Sequence, residues 1–339
     1  MNTKIIKIQP IGFQWEMENP FIFCAHHKDA FPKGNPNQGP AVSLNGRNIG
    51  SDFSHKDGFS MYHGDIVPGF PEHPHRGFET VTIVLEGLVD HFDSNGASGR
   101  YGMGDVQWLT TGKGCQHSEM FPLVNQDKEN PTELFQVWLN LPKKSKFVEP
   151  NYKMLWAEDI PIIEIENSNN QKSKFRLIAG EFMGKKSLEP CKDSWAYDRE
   201  NKVSIILMSL APNSIITLPK VSLTISRNLY FYQGDGKIEI DNNQIQSSSR
   251  IQLNGNEEIQ VKNQDKESFI LLLEGEKIQE PIVQYGPFVM NTEQEIHQAF
   301  QDYRETRFGG WQWDRSDPVH HIEKGRYARY IDGKEETRP

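Results

Sequence analysis

The sequence is poor in the features that mark secreted, membrane-spanning and nucleic-acid-binding proteins. Its three cysteines, Cys24, Cys115 and Cys191, are too few and too scattered for a disulfide framework. No apolar run approaches the length of a membrane span, and the first residues lack the apolar core of a signal peptide. The formal net charge of −9 argues against the basic face that phosphate contact needs. These absences predict a cytoplasmic protein that binds neither membranes nor nucleic acids directly.

Length and composition favour two β-rich domains. A chain of 339 residues is long for a single hydrophobic core. The 27 glycines and 20 prolines are typical of a turn-rich, mostly β architecture. Histidine is unevenly distributed, because the stretch from Lys174 to Met290 has none. Any histidine-based site must therefore lie outside that stretch.

Two pairs of potential metal ligands in the first half have the spacing of neighbours on a strand. His73 and His75 stand two apart in PEHPHRGFETVTIVLE, and His117 and Glu119 do so in GKGCQHSE. Residues two apart on a β-strand point to the same face, so each pair can present two donor atoms to one cavity. Nitrogen and oxygen donors together suit a divalent transition metal better than calcium or magnesium. The sequence therefore predicts a metal centre at these four residues.

Glu79 is an alternative source of the carboxylate. We expect one continuous strand from His73 to Leu85, and on such a strand Glu79 shares the face of His73 and His75. Spacing alone therefore leaves Glu79 and Glu119 open as ligands. Cys115 shares the face of His117, and we expect a small buried side chain there rather than a redox-active thiol.

Three runs of the first half resemble the metal-binding domain of pirins, which are two-domain cupin proteins: HPHRGFETVTIVLEG, GDVQWLTTGKGCQHSEMFP and ELFQVWLNLP. Near the C-terminus, QYGPFVMNTEQEI also resembles the family. The resemblance implies an iron centre whose ligands fall on His73, His75, His117 and Glu119. Pirins take their carboxylate from the second motif, which implies that Glu79 is a hydrogen-bond acceptor beside the metal. The resemblance implies Fe(II), and the donor types leave Cu, Ni, Mn, Co and Zn open.

The predicted fold class is all-β, with two tandem cupin (jelly-roll) barrels, a C-terminal helix and an extended tail. The predicted divisions are 1–145 for the metal-binding domain, 146–290 for a second cupin domain, and 291–339 for the helix and tail. Short apolar runs between turn residues predict eight strands from Phe175 to Glu274. In this second domain ITLPKVSLTI stands where a His-x-His would be expected. We therefore expect no metal site of the same kind there.

The segment Asn291 to Arg307 is the clearest predicted helix. Its start, TEQE, matches a capping box, and an apolar stripe recurs at helical spacing. Beyond it, we expect Trp311 and Trp313 to hold the tail to the body of the protein. The last residues are expected to be mobile.

The resemblance to pirins implies a quercetinase-type activity, in which dioxygen cleaves a flavonol with loss of carbon monoxide. Four protein ligands would leave one or two positions of a five- or six-coordinate ion open, unlike a closed structural zinc site. We hypothesise that Glu119 accepts the proton of the flavonol 3-hydroxyl. It can do so only if its bond to the metal leaves an oxygen free. The predicted reactants are a small aromatic, flavonol-like substrate and dioxygen.

Two other functions remain open. Some pirins are described as metal-dependent partners of other proteins, so the main alternative is a non-enzymatic, iron-dependent, redox-sensitive regulator that binds a protein partner. A third class is another cupin reaction on the same ligands, such as isomerisation or decarboxylation. Metal-dependent oxygen uptake with a flavonol would separate the first function from both alternatives.

Overall fold

The structure is a computed structural model that describes residues 3–12 and 14–339. Within these residues it contains 26 strands and one α-helix, so the all-β prediction is confirmed. The strands up to residue 155 are β1 Ile5–Pro10, β2 Phe21–Phe31, β3 Gly69–His75, β4 Phe78–Glu86, β5 Leu88–Asp93, β6 Ser98–Gly102, β7 Val106–Thr110, β8 Cys115–Met120, β9 Asn130–Asn140 and β10 Asn151–Leu155.

The middle of the chain contributes twelve further strands. They are β11 Ile162–Glu166, β12 Lys172–Ala179, β13 Glu181–Phe182, β14 Lys185–Lys186, β15 Ser204–Leu210, β16 Ile215–Leu218, β17 Ile225–Gln233, β18 Lys237–Ile240, β19 Asn243–Gln246, β20 Ser249–Asn254, β21 Ile259–Asn263 and β22 Ser268–Glu276. The last segment holds β23 Val283–Tyr285, β24 Phe288–Met290, α1 Glu293–Thr306, β25 Tyr327–Arg329 and β26 Glu335–Thr337. Short 3-10 turns lie at Lys56–Gly58, Lys143–Ser145, Arg199–Asn201 and Arg307–Gly309.

The chain divides into two compact units. One combines the residues up to Cys24 with Glu158–Gln279, and the other combines Ala25–Ala157 with Glu280–Pro339. The predicted domain division at residues 145 and 290 stays a prediction. These units differ from it at both chain ends, because β1 pairs with β20 and the C-terminal tail pairs with β6.

The unit around Ala25–Ala157 contains both ligand pairs in a fold of two sheets. A six-stranded sheet has the order β26-β25-β6-β5-β8-β3, and a five-stranded sheet has the order β10-β7-β4-β9-β2. Alternating apolar side chains bury a common core, including Phe31, Tyr101 and Leu109. The first histidine pair lies on β3 and the His117–Glu119 pair on the adjacent β8.

The other unit is a second pair of sheets with an apolar interior. A seven-stranded sheet has the order β1-β20-β17-β22-β15-β12-β11, and a four-stranded sheet has the order β16-β21-β18-β19. Its core consists of aliphatic and phenylalanine side chains such as Leu229, Ile251 and Phe175. All eight strands predicted here are present, within a few residues of their predicted bounds. The strands β11 and β19 were not predicted, because IIEIE and NQIQ are short and partly exposed.

The strand predicted from His73 to Leu85 is interrupted at Gly77. The strands β3 and β4 lie on either side of it and belong to different sheets. Gly77 has a φ of +86°, and a Cβ there would meet the carbonyl oxygen of Val289 at 2.1 Å. Glycine alone adopts this backbone without a steric penalty. The prediction of one continuous strand is therefore wrong, and strand alternation no longer relates Glu79 to the histidine pair.

The predicted helix is confirmed as α1. The Thr292 hydroxyl accepts a hydrogen bond from the Glu295 backbone N–H, and the Glu295 carboxylate accepts one from the Thr292 N–H. Ile296 and Ala299 are buried on its apolar face. The helix ends where Arg307 adopts a left-handed conformation with a φ of 50°.

The C-terminal tail is an ordered part of the unit that contains both predicted ligand pairs. The indole N–H of Trp313 donates to the carbonyl oxygen of Asp93, as expected of a residue that holds the tail in place. The indole of Trp311 instead bonds within the tail, to the carbonyl of Arg315. The strand β25 pairs with β6, and β26 pairs with β25. The expectation of mobile last residues is therefore wrong for these two strands.

The buried side chain of Arg100 holds this tail in place through hydrogen bonds. Its guanidinium forms a two-pronged ion pair with Asp90, at 2.6 and 2.7 Å. The same group donates to the backbone carbonyls of His321 and Lys324, at 3.1 and 2.9 Å. Arg100 therefore connects the strand pair β5–β6 to the loop that precedes β25.

None of the helices in the described part of the chain combines the length and apolar character needed to cross a membrane.

Candidate metal centre

Adjacent strands bring the two ligand pairs together. In the antiparallel ladder of β3 and β8, His73 lies opposite His117. Residues that face each other across such a ladder project to the same side of the sheet. Gly114, with a φ of +123°, precedes β8 and packs against the ring of Phe308 where a Cβ would clash. The glycine-containing turn thus delivers β8 in the register that aligns the two pairs.

Three imidazoles converge inside the unit. One ring nitrogen from each of His73, His75 and His117 lies within 4.8 Å of the other two. Ring centroids are 4.5 Å apart for His73 and His117, and 5.0 Å apart for His75 and His117. His75 and His117 are buried, whereas His73 is partly exposed. Access from solvent is therefore on the side of His73.

The environment keeps these imidazoles neutral, which is the form that binds metals. Burial lowers the pKa of His73, and it lowers the pKa of His75 and of His117 well below the ordinary value. The neighbouring imidazoles lower the pKa values of His75 and His117 further. The Nδ1–H of His73 can donate to the carbonyl oxygen of Pro71 at 2.8 Å, which leaves Nε2 free for a metal.

Glu119 lies beside this cluster, at its edge. Its Oε2 is 3.8 Å from Nε2 of His117, and the residue is 2% exposed. The hydroxyl of Thr82 donates to Oε1 at 3.0 Å, and the amide of Gln136 donates to Oε2 at 2.6 Å. Each oxygen keeps a lone pair after accepting one hydrogen bond. The role of Glu119 as a fourth ligand stays a prediction.

The donor set fits a transition metal. Within the described residues, both ring nitrogens of His117 are buried without a hydrogen-bond partner. A buried polar atom without a partner is costly, so native structures rarely contain one unless an ion or water satisfies it. A metal bound to one nitrogen of His117 would remove the cost for that nitrogen. Three neutral imidazoles and a nearby carboxylate are the donors that such ions prefer.

Comparisons with known proteins agree with the geometry. Residues 11–139 match the Pirin family model, and residues 205–309 match that of the Pirin C-terminal cupin domain. The chain is 38% identical over 238 residues to Pirin-like protein of Solanum lycopersicum, covering 70% of this chain and 75% of the relative. It is 35% identical over 247 residues to a Pseudomonas aeruginosa protein provisionally named quercetin 2,3-dioxygenase, covering 71% of this chain and 80% of the relative. The chain belongs to the pirin family.

A solved structure supports the same fold for this pirin. The crystal structure of quercetin 2,3-dioxygenase from Acinetobacter baumannii superposes with a TM-score of 0.70 at 25% identity. The alignment covers 91% of this chain and 98% of that chain. The prediction of two cupin domains is confirmed by these matches. The histidine cluster lies in the N-terminal cupin domain.

Glu79 lies on β4, in the sheet opposite the histidines. It is completely buried, and its Oε1 accepts a hydrogen bond from the hydroxyl of Thr110 at 2.7 Å. The three-residue cluster that could hold an ion in this pirin does not include it. Its predicted role as an acceptor beside the metal stays a prediction, and so does the choice of Glu119 as ligand.

His91 is a neighbour of the site that the sequence reading missed. It lies on β5, opposite Glu119 of β8, and is completely buried. Its ring centroid is 5.5 Å from that of His117, and its Nε2 is 3.4 Å from the carboxylate of Asp93. A single histidine in the run LVDHFD has no partner at ligand spacing. Its proximity depends on the pairing of β5 with β8.

Gln136 and Trp138 of β9 also border the site. The ring of Trp138 lies 5.2 Å from that of His75, and its indole N–H donates to the Gln136 Oε1 at 2.9 Å. Both side chains are partly exposed. Their sequence signal is the alternation in LFQVWLNL, which places Gln136, Trp138 and Asn140 on one face of an otherwise apolar strand.

Cys115 is a buried free cysteine at the start of β8, the strand of His117 and Glu119. Burial raises the pKa of its thiol well above the ordinary value. A neutral buried thiol behaves as a small apolar side chain, as expected. The aromatic rings of Phe70 and Tyr62 stack 5.2 Å apart, and Phe70 lies 6.4 Å from His73. Aromatic side chains therefore line the exposed side of the cluster.

Proposed function

We propose that this pirin is a metal-dependent dioxygenase that cleaves a flavonol with dioxygen and releases carbon monoxide. The proposed site is mononuclear, with His73, His75, His117 and Glu119 as ligands and Fe(II) as the native metal. The observation that carries the proposal is the convergence of three neutral imidazoles, two of them buried and one partly exposed, beside a carboxylate. The likeness to a quercetin 2,3-dioxygenase across most of the chain supports the reaction class.

The residues of the site have different proposed roles. The three imidazoles would hold the ion, and Fe(II) when bound supplies the redox chemistry that couples an organic substrate to dioxygen. Glu119 would accept the proton of the flavonol 3-hydroxyl on an oxygen lone pair that its hydrogen bonds leave free. The rings of Phe70 and Trp138 lie next to those of His73 and His75, and a planar aromatic substrate at the metal would pack beside them.

The test combines metal analysis with turnover. Protein purified without chelator is analysed for iron, copper, nickel, manganese, cobalt and zinc, and is then assayed with quercetin for oxygen uptake and carbon monoxide release. We expect one ion per chain and turnover that stops after chelation. The His75→Ala variant should lose both the ion and turnover. Metal-loaded protein without oxygen uptake would refute the proposal. Metal-dependent binding of a protein would then favour the regulatory alternative.

Glu119→Gln tests the role of the carboxylate as a base. We expect iron-loaded Glu119→Gln protein to lose at least about 100-fold in turnover, because general-base catalysis contributes roughly 10²–10⁴-fold. Iron content is measured in parallel, so that metal loss is not mistaken for loss of the base. Full turnover by an iron-loaded variant would exclude the base role. The cytoplasmic location stays a prediction and is tested by cell fractionation.

A further inference from the structure

The carboxylate of Glu119 lies between two donors that face each other across a strand pair. Thr82 on β4 and Gln136 on β9 are directly opposed in the antiparallel ladder. The Thr82 hydroxyl bonds Oε1 and the Gln136 amide bonds Oε2, at 3.0 and 2.6 Å. Both donors belong to the five-stranded sheet, whereas Glu119 belongs to the six-stranded sheet. Thr82 and Gln136 of the five-stranded sheet therefore determine the orientation of the Glu119 side chain, which belongs to the six-stranded sheet.

Trp138 fixes the direction of the Gln136 amide. A glutamine side chain can turn either its oxygen or its nitrogen toward a neighbour, and only its hydrogen-bond partners decide which. The indole N–H of Trp138 is a donor only, and it bonds Oε1 of Gln136 at 2.9 Å. The amide nitrogen must then point the other way, toward Glu119. The chain of hydrogen bonds runs from Trp138 through Gln136 to the carboxylate.

The two oxygens of Glu119 consequently have different surroundings. Oε2 lies 3.8 Å from Nε2 of His117, on the side of the histidine cluster. Oε1 is bonded to Thr82. A carboxylate bonded on both oxygens cannot rotate freely about its last bond, because either rotation breaks a buried hydrogen bond. Donors that orient a ligand in this way often determine metal affinity as strongly as the ligand itself.

We propose that Thr82, Gln136 and Trp138 are positioning residues that present a single oxygen of Glu119, Oε2, to the metal centre and hold Oε1 at the Thr82 hydroxyl. The inference rests on the proposed metal site but not on the proposed reaction. It explains how a carboxylate could bind through one oxygen only. It also assigns a role to the polar stripe on β9, whose members Gln136 and Trp138 would otherwise be an unexplained departure from an apolar strand.

The test measures metal binding in three variants of the full chain. Gln136→Met removes the amide donor at similar volume, and Trp138→Phe removes the indole N–H but keeps an aromatic ring. The third variant combines both changes. Affinity for Co²⁺ is measured by chelator competition, and the visible spectrum of the cobalt protein reports the ligand geometry. The matched control is Gln107→Met, because Gln107 opposes Thr82 from β7 and, within the described residues, its amide nitrogen bonds nothing.

We expect Gln136→Met to weaken Co²⁺ binding by about 10- to 100-fold and to change the cobalt spectrum. Trp138→Phe should weaken binding several-fold, and the double variant should bind no more weakly than Gln136→Met, because Trp138 acts through Gln136. Gln107→Met should match the wild type. Unfolding of the metal-free proteins is measured alongside, and a loss of affinity with unchanged stability supports positioning.

Two results would overturn the inference. One is a Gln136→Met variant with the affinity and spectrum of the wild type. The other is a double variant whose loss equals the product of the single losses, which would make Trp138 independent of Gln136. Wild-type protein that binds no Co²⁺ would instead refute the metal site itself. The two failures are therefore distinguishable.

Discussion

Replacing Arg100 with methionine should strongly destabilise the unit that contains the histidine cluster. Methionine keeps much of the length of the side chain but removes every donor of the guanidinium. Asp90 would then be a completely buried carboxylate that has lost both prongs of its ion pair. It would retain the backbone N–H of His320, which donates at 2.8 Å. The carbonyls of His321 and Lys324 would lose a donor at the same time.

The expected loss in the free energy of unfolding follows from these lost contacts. Removing one partner of a buried ion pair costs about 3–5 kcal/mol, because the remaining charge stays away from water. The bond from His320 reduces the cost, and the orphaned tail carbonyls add to it at about 1 kcal/mol each. We therefore expect Arg100→Met to lower the free energy of unfolding by about 4 kcal/mol. Also replacing Asp90 with leucine should recover part of the loss, because no unpaired charge remains.

Urea unfolding followed by tryptophan fluorescence measures these differences. The matched control is Arg315→Met, because Arg315 is also in the tail and forms a two-pronged pair with Asp317 at 2.9 Å, but it is 58% exposed. An exposed pair contributes about 1 kcal/mol or less. A loss below about 1 kcal/mol for Arg100→Met, equal to that of the control, would refute the argument from burial.

Two further predictions concern Gly77, in the turn after the first histidine pair, and Lys146, whose side chain donates to the Gly77 carbonyl oxygen at 2.7 Å. Gly77→Ala should lower the free energy of unfolding by about 2 kcal/mol more than Gly184→Ala. Both glycines have a positive φ, but only Gly77 lies against the Val289 carbonyl. Equal losses of stability in urea unfolding would contradict this steric explanation. Burial lowers the pKa of Lys146 to about 7, so between that pH and about 10 the unfolded chain binds more protons and this group's contribution to stability rises with pH. Relative to Lys146→Met, the wild type should therefore gain up to about 1.4 kcal/mol per pH unit from pH 7.5 to 9.5. Parallel stability curves for the wild type and Lys146→Met would refute the shift.

Sequence spacing was sufficient to predict the histidine cluster because the information is local. His73 with His75, and His117 with Glu119, need only two strands to present each pair on one face. The expectation that the two pairs meet in one centre came from the resemblance to pirins, and the pairing of β3 with β8 brings them together. Regular turns between apolar runs were likewise enough to locate the strands of the second cupin domain.

The features that the sequence reading missed depend on contacts between distant residues. The interruption at Gly77 arises from the close approach of Val289, which lies far along the chain. His91 reaches the site only because β5 pairs with β8. The tail strands add to the edge of β6, and their charged, non-periodic sequence gives no alternation to recognise. Each case reflects tertiary pairing, which local pattern does not contain.

The division of the site between two sheets has a mechanical consequence. The proposed ligands all come from the six-stranded sheet, and the donors that turn Glu119 come from the five-stranded one. An ion at this position would therefore link the six-stranded and five-stranded sheets of the barrel. Loading should slow amide hydrogen exchange in β4 and β9 as well as in β3 and β8, although β4 and β9 supply none of the proposed ligands. Substitutions in the five-stranded sheet would then affect metal binding through the carboxylate of Glu119 alone.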